Sequence, residues 1–231
     1  MKLNQQNIPG IFNDVIGPIM RGPSSSHTAA SWRAAKTCMD ILNEPLKKAI
    51  IDFDKDGAWA SNYREQGTSL GIEGGLLGLE MTDDRMKNTE LVANELGISI
   101  HYEINSFKTN HVNTFRLLLE GINGKNIKVV AISIGGGSFE IQNIDGFEVK
   151  ICGDFYELCL FNSSKETGLE KLKSMFPQSK SIVESFNSDK RLINMKFSKE
   201  VSDETIEKLK RIVSFDELII TKPVLPIVAG N

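Results

Sequence analysis

Residues 156–222 read YELCLFNSSKETGLEKLKSMFPQSKSIVESFNSDKRLINMKFSKEVSDETIEKLKRIVSFDELIITK. Tyr156–Phe161 is short and apolar, the pattern of a buried strand. Glu166–Phe176 reads as a helix, and Ser181–Phe186 and Leu192–Phe197 as two strands. Asp203–Val213 reads as a second helix, with Ser202 ahead of Asp203-Glu204-Thr205 as its N-cap. Glu217–Lys222 is the closing strand. The order βαββαβ is the ferredoxin-like arrangement.

Upstream the texture differs. The first 150 residues hold sixteen of the nineteen glycines and all three histidines. The boundary is expected at 146–154, giving one domain over 1–150 and a second over 154–231. Ile11–Met20 reads as a short helix. Ala29–Leu42 places Ala30, Ala34, Cys38 and Ile41 at helical spacing. Lys48–Phe53 reads as a strand. Thr68–Leu79 carries Gly71, Gly74, Gly75 and Gly78, which cost helix propensity and point to close packing on a neighbouring backbone. Thr82 or Asp83 can cap a helix that runs to Leu96 and stops at Gly97. Ile98–Ile104, Val112–Leu119 and Ile127–Ile134 read as strands. Phe139–Ile144 and Phe147–Cys152 flank Asp145-Gly146, a type I′ hairpin signal. The fold class is mixed α/β (α+β).

Composition removes several function classes. The 231 residues are 40% hydrophobic and 25% charged, so the chain is not disordered. A net charge of -3 does not favour a nucleic-acid partner. Apolar runs such as Val129 to Ile132 are far short of the ~20 residues of a membrane helix. The start, MKLNQQNIPG, has no apolar secretory core. Cys38, Cys152 and Cys159 form no disulfide framework and fit a reducing cytoplasm. With no CxxC and no HxxxH, no metal site is expected within this chain.

Gly22-Pro23-Ser24-Ser25-Ser26-His27-Thr28 is the sharpest motif. Four hydroxyls and an imidazole stand just ahead of a helix, where backbone N–H groups favour anions. His27 titrates near neutral pH and is suited to proton transfer. A purely polar helix cap is the competing reading. His111-Val112-Asn113-Thr114 can hold a small polar ligand, or simply begin a strand. Arg64-Glu65-Gln66-Gly67-Thr68-Ser69 offers donors at another helix start, or a plain cap. Gly135-Gly136-Gly137 is followed by a strand, so it is a tight turn and not a dinucleotide fingerprint.

Taken together, these residues resemble the β subunit of the iron–sulfur-dependent L-serine dehydratases (L-serine ammonia-lyases), over nearly the whole chain. Phe12-Asn13-Asp14-Val15-Ile16-Gly17-Pro18 leads into the family's GPSSSHT signature at Gly22–Thr28. Gly74-Gly75-Leu76-Leu77-Gly78 matches its GLLG segment. His111–Thr114 matches its HPNT with valine for proline, and Ser133-Ile134-Gly135-Gly136-Gly137 its SIGGG turn. The resemblance implies an N-terminal α/β domain related to the allosteric substrate-binding domain of phosphoglycerate dehydrogenases. It implies a C-terminal ACT domain, a module that commonly pairs side by side, so a homodimer is expected of the isolated chain.

The resemblance further implies elimination of water from L-serine, giving pyruvate and ammonia. The 4Fe-4S cluster would be held by a cysteine-bearing α subunit, not by this chain, and the small amino-acid substrate would sit between the two. His27 would be the proton carrier, with Ser25 beside it as a second catalytic group. Ser24, Ser26, Thr28 and Thr68 would line the substrate pocket, with His111, Asn113 and Thr114 as further pocket residues. The chain departs from the pattern in three places. The family's GHGTD is Glu65-Gln66-Gly67-Thr68-Ser69 here, its Gly-Ser is Gly57-Ala58, and its ACT loop Asp-x-Pro-Gly is Ser164-Lys165-Glu166-Thr167-Gly168. The alternative, from another class, is a regulatory or scaffolding homologue that binds a small carboxylate or amino acid and catalyses nothing.

Overall fold

The computed structural model describes residues 21–107, 109–163 and 168–224. The expected helix at Ile11–Met20 and the loop positions Ser164 to Thr167 lie outside the described residues. The chain is of mixed α/β (α+β) class and builds two sheets.

The first half runs α1 (Thr28–Leu42), β1 (Leu46–Asp54), α2 (Thr68–Leu76), a 3-10 turn (Asp84–Asn88) and α3 (Thr89–Glu95). Then come β2 (Ser99–Asn105), β3 (Thr114–Gly121), β4 (Asn126–Gly135), β5 (Ser138–Ile144) and β6 (Phe147–Ile151). The strands form one sheet in the order β2-β1-β3-β4-β5-β6. Among the described residues only β1 and β2 pair in parallel, and the helices between them supply the crossover that parallel pairing requires. The rest is a meander closed by short turns, which is why its strands were easy to read. Asp145 and Gly146 have φ of 50° and 90°, as the β5–β6 hairpin turn demands.

Helix α1 lies on this sheet through Ala30, Ala34, Cys38 and Ile41, all in the main apolar core. Helix α2 packs on α1 through its glycines. A methyl group at Gly75 would stand 2.5 Å from the Trp32 carbonyl oxygen and 2.8 Å from Ala35 Cβ. One at Gly71 would collide with the Thr28 carbonyl and the Ser31 hydroxyl. The expected approach of backbone to backbone is therefore real.

Two expectations are corrected. The single helix from Thr82 or Asp83 to Leu96 is broken: Asp83 caps a 3-10 turn, and Asn88, at φ -136° and ψ 51°, interrupts the winding before α3. The Thr89 hydroxyl donates to the Glu73 carboxylate on α2, which fixes where α3 begins. Val112 is not in a strand. It lies exposed in a turn, and β3 starts at Thr114.

The second half is β7 (Tyr156–Phe161), α4 (Leu169–Met175), β8 (Ser179–Asn187), β9 (Lys190–Phe197), α5 (Asp203–Ile212) and β10 (Glu217–Thr221). The sheet order β10-β7-β9-β8, all antiparallel, is the one a βαββαβ unit adopts. Ser202 caps α5 by accepting from the Thr205 N–H at 3.3 Å. Leu158, Leu160, Ile193 and Met195 face α4 and α5 and form a second core with Leu172, Phe176 and Leu209.

The opposite face of that sheet is not left open. Cys159, Phe161, Leu192 and Ile219 join the core of the first half. Phe161 meets Phe147 edge to face at 5.8 Å. The Lys222 N–H donates to Asp40 Oδ2 at 2.8 Å, and Asn187 Nδ2 to the Asp145 carbonyl at 2.9 Å. Strand β8 remains an edge, with Val183 and Phe186 exposed.

Candidate functional site

The turn ahead of α1 is wound by its own backbone. The N–H groups of His27 and Thr28 donate to the Ser24 carbonyl at 3.1 and 2.7 Å, and that of Ala29 to the Ser25 carbonyl at 3.1 Å. His27 is the N-cap residue, yet it makes no side-chain capping bond. The hydroxyls of Ser24 and Ser26 turn to its ring instead: Ser24 Oγ lies 3.0 Å and Ser26 Oγ 3.3 Å from His27 Nδ1. The two hydroxyls are 3.1 Å from each other. The serines here organise an imidazole and do not merely cap a helix.

Burial lowers the His27 pKa from the usual 6.5. The positive end of the α1 dipole likewise disfavours a charged ring. The imidazole is therefore kept in its neutral form, able to accept a proton. With Nδ1 engaged by the serines, Nε2 is the ring nitrogen left to exchange one. Ser25 is half-buried in the same turn.

Thr28 and Thr68 are fully buried. The Thr28 hydroxyl donates to the Gln66 carbonyl at 3.3 Å, and the Ser31 hydroxyl to the Thr68 carbonyl at 3.1 Å. The Thr68 hydroxyl has no hydrogen-bond partner among the described residues. These two threonines are buried in the joint between α1 and α2.

His111, Asn113 and Thr114 form their own turn. The Asn113 N–H donates to His111 Nδ1 at 3.1 Å, so in the neutral ring Nε2 carries the proton. The Thr114 hydroxyl donates to the His111 carbonyl. This turn is bound to the first one through Ser133 on β4. The Ser133 N–H donates to the Asn113 carbonyl at 3.1 Å, and its hydroxyl to the Ser26 carbonyl at 2.8 Å. The glycine turn after Ser133 has φ of 97°, 61° and 90° at Gly135, Gly136 and Gly137, and the Gly137 carbonyl accepts from buried Arg33 Nη1 at 2.8 Å.

Two residues escaped the sequence reading. Ser133 opens the SIGGG turn, and a serine beside a glycine turn was the available signal. Trp59, between β1 and α2, lays its ring 5.4 Å from that of His27. A lone tryptophan in the polar run from Gly57 to Gln66 gave no periodic signal.

Among the described residues no three His, Cys, Asp or Glu groups could hold a metal ion. The three thiols are buried, and burial pushes Cys152 and Cys159 up to about 12 and Cys38 higher still. A cluster needs several thiolates converging on one site, and these three buried cysteines are part of no such group among the described residues. Among the described residues no helix is long and apolar enough to cross a membrane.

No protein-family model matches the chain. Two curated proteins do. A protein of Bacillus subtilis (strain 168) named "Probable L-serine dehydratase, beta chain" is 33% identical over 152 residues, which is 66% of this chain and 68% of that protein. The "L-serine dehydratase, beta chain" of Peptoniphilus asaccharolyticus is 30% identical over 203 residues, 87% of this chain and 90% of that protein. With a relative of this similarity covered almost end to end, and with the serine–histidine turn of the resemblance intact, the chain belongs to the family of L-serine dehydratase beta chains.

Proposed function

We propose that this chain is the subunit of an iron–sulfur-dependent L-serine dehydratase that completes the active site without holding the cluster. The reaction is loss of water from L-serine to aminoacrylate, which rearranges and hydrolyses to pyruvate and ammonia. The 4Fe-4S cluster, on a cysteine-bearing α subunit, supplies a Lewis acid for the leaving hydroxyl. On this chain, His27 exchanges the proton through Nε2. Ser24 and Ser26 hold its Nδ1, and Ser25 with the exposed backbone of the turn receives the polar groups of the amino acid. His111, Asn113 and Thr114 form the adjoining wall, and Thr28 and Thr68 support the turn.

The observation that carries this reading is the His27 imidazole, neutral by burial and tied at one nitrogen by two serines at a helix start. The C-terminal half, read as an ACT domain, leaves β8 as an unpaired edge with Val183 and Phe186 exposed. Such edges are normally covered, so a homodimer through this half is expected. A cytoplasmic location fits the three reduced cysteines.

The test is reconstitution. The chain alone, treated anaerobically with iron and sulfide, should stay colourless and form no pyruvate. With the α subunit it should form pyruvate from serine. A stoichiometric cluster spectrum from the chain alone sinks the division of labour. An assembled pair that binds a small amino acid yet makes no pyruvate supports the non-catalytic reading, which Gln66 and Ser69 favour.

A further inference from the structure

We propose that Trp59 is a positioning residue for His27: its indole face sets the plane of the imidazole while Ser24 and Ser26 hold Nδ1. The proposal deepens the reading of His27 as proton carrier and rests on it. An imidazole held at Nδ1 can still tilt about the line from Cβ to Nδ1, which changes the direction in which Nε2 points. A second restraint on the ring plane is therefore needed if Nε2 is to meet one proton reproducibly.

Trp59 supplies such a restraint. Its ring lies 5.4 Å from the His27 ring at 35°. It cannot yield, because Phe115 stacks on it at 5.3 Å and 26°, and Phe53 meets its edge at 6.2 Å and 73°. The backbone beside it is pinned as well, since the Ala58 N–H donates to the Val112 carbonyl at 2.8 Å. That bond joins the tryptophan segment to the turn of His111 and Asn113, so both walls of the site share one support.

The side chain is only 1% exposed, and its indole N–H has no hydrogen-bond partner among the described residues. A buried donor without an acceptor is costly. A phenylalanine or leucine would avoid that cost, so what the site uses is the broad indole face and not its N–H.

The chain has two tryptophans, Trp32 and Trp59, which permits a direct test. The full chain carrying 5-fluorotryptophan should give two fluorine signals, assigned by Trp59→Phe, or by Trp32→Phe if that variant does not fold. The Trp59 signal should move as the neighbouring imidazole titrates. The movement should vanish in His27→Gln and persist in His111→Gln. A flat Trp59 signal, or one that still moves in His27→Gln, overturns the proposal.

In the assembled dehydratase, Trp59→Leu should lower kcat at least about tenfold with KM within about threefold, and Trp59→Phe should lose only about threefold. A kcat equal to wild type in Trp59→Leu overturns the proposal. If Trp59→Leu does not fold, a wild-type kcat in Trp59→Phe does so instead. If the wild-type pair makes no pyruvate, the dehydratase reading has failed, and the fluorine signals alone decide whether Trp59 orients His27.

Discussion

The hydroxyl of Ser133 donates to the backbone carbonyl of Ser26 at 2.8 Å, across 107 positions of sequence. One serine on a central strand thereby fixes the height of the turn that carries His27. Replacing it by alanine leaves that carbonyl without its partner. Ser133→Ala should cost about 1 kcal/mol of stability and roughly tenfold in turnover, because the turn is free to shift. Urea unfolding and steady-state kinetics of the assembled enzyme measure the two effects. Unchanged turnover would reduce Ser133 to a structural bond.

His27→Ala should cost on the order of 10²–10⁴ in kcat, the contribution of one positioned proton carrier. The fold should survive, since the ring is only partly buried. A loss below tenfold with an unchanged circular dichroism spectrum would assign His27 to binding alone.

Gly75→Ala should destabilise by about 1–3 kcal/mol or more, because the added methyl meets the Trp32 carbonyl at 2.5 Å and that oxygen belongs to a buried helix. The usual gain of alanine over glycine inside a helix would be reversed. A denaturation midpoint equal to or above wild type would show that α2 can slide away from α1.

Burial holds the His27 imidazole below 6.5, so on acidification the unfolded chain takes the proton first. Well above 6.5 neither state is protonated, and His27 has no effect on stability. As pH falls below that value stability is lost, until the folded ring is protonated too. Unfolding midpoints between about pH 5 and pH 7.5 should fall more steeply toward acid in wild type than in His27→Gln. Parallel curves would mean that the folded ring titrates as it does in the open chain.

Gln66 and Ser69 stand where the family pattern has a histidine and an aspartate. The pattern's carboxylate would offer the substrate ammonium a charged contact, worth about tenfold or more in affinity. Gln66→His with Ser69→Asp should therefore raise kcat/KM for serine. Ser69 lines a groove of about 940 Å³ beside Glu73 and Tyr102, so the new aspartate gains a like-charged neighbour four residues on. A few tenths of a kcal/mol of stability should be lost in exchange. If the double substitution lowers kcat/KM, the stretch is structural and its neutral residues do not limit specificity.

The parts of the fold that rest on local periodicity were legible. Ala30, Ala34, Cys38 and Ile41 announced α1, and Asp145-Gly146 announced its hairpin. The order of elements after Tyr156 was sufficient to specify the second sheet. What stayed hidden depends on residues far apart in sequence. The break before α3 follows from Glu73 reaching Thr89, and nothing in the run from Thr82 to Leu96 records that contact. The Ser24–Ser26–His27 group was visible because its members are neighbours. Ser133 and Trp59 reach the same place only through the sheet and the β1–α2 connection.

Helix α1 begins beside the imidazole at Thr28 and, near its far end, carries Asp40, which accepts the Lys222 N–H just past β10. Its 15 residues make a rod of about 22 Å, buried along most of its length and gripped at both tips. The turn that carries His27 and the tie to the C-terminal sheet are therefore the two ends of a single helix, so the placement of the imidazole and the docking of that sheet share one structural element.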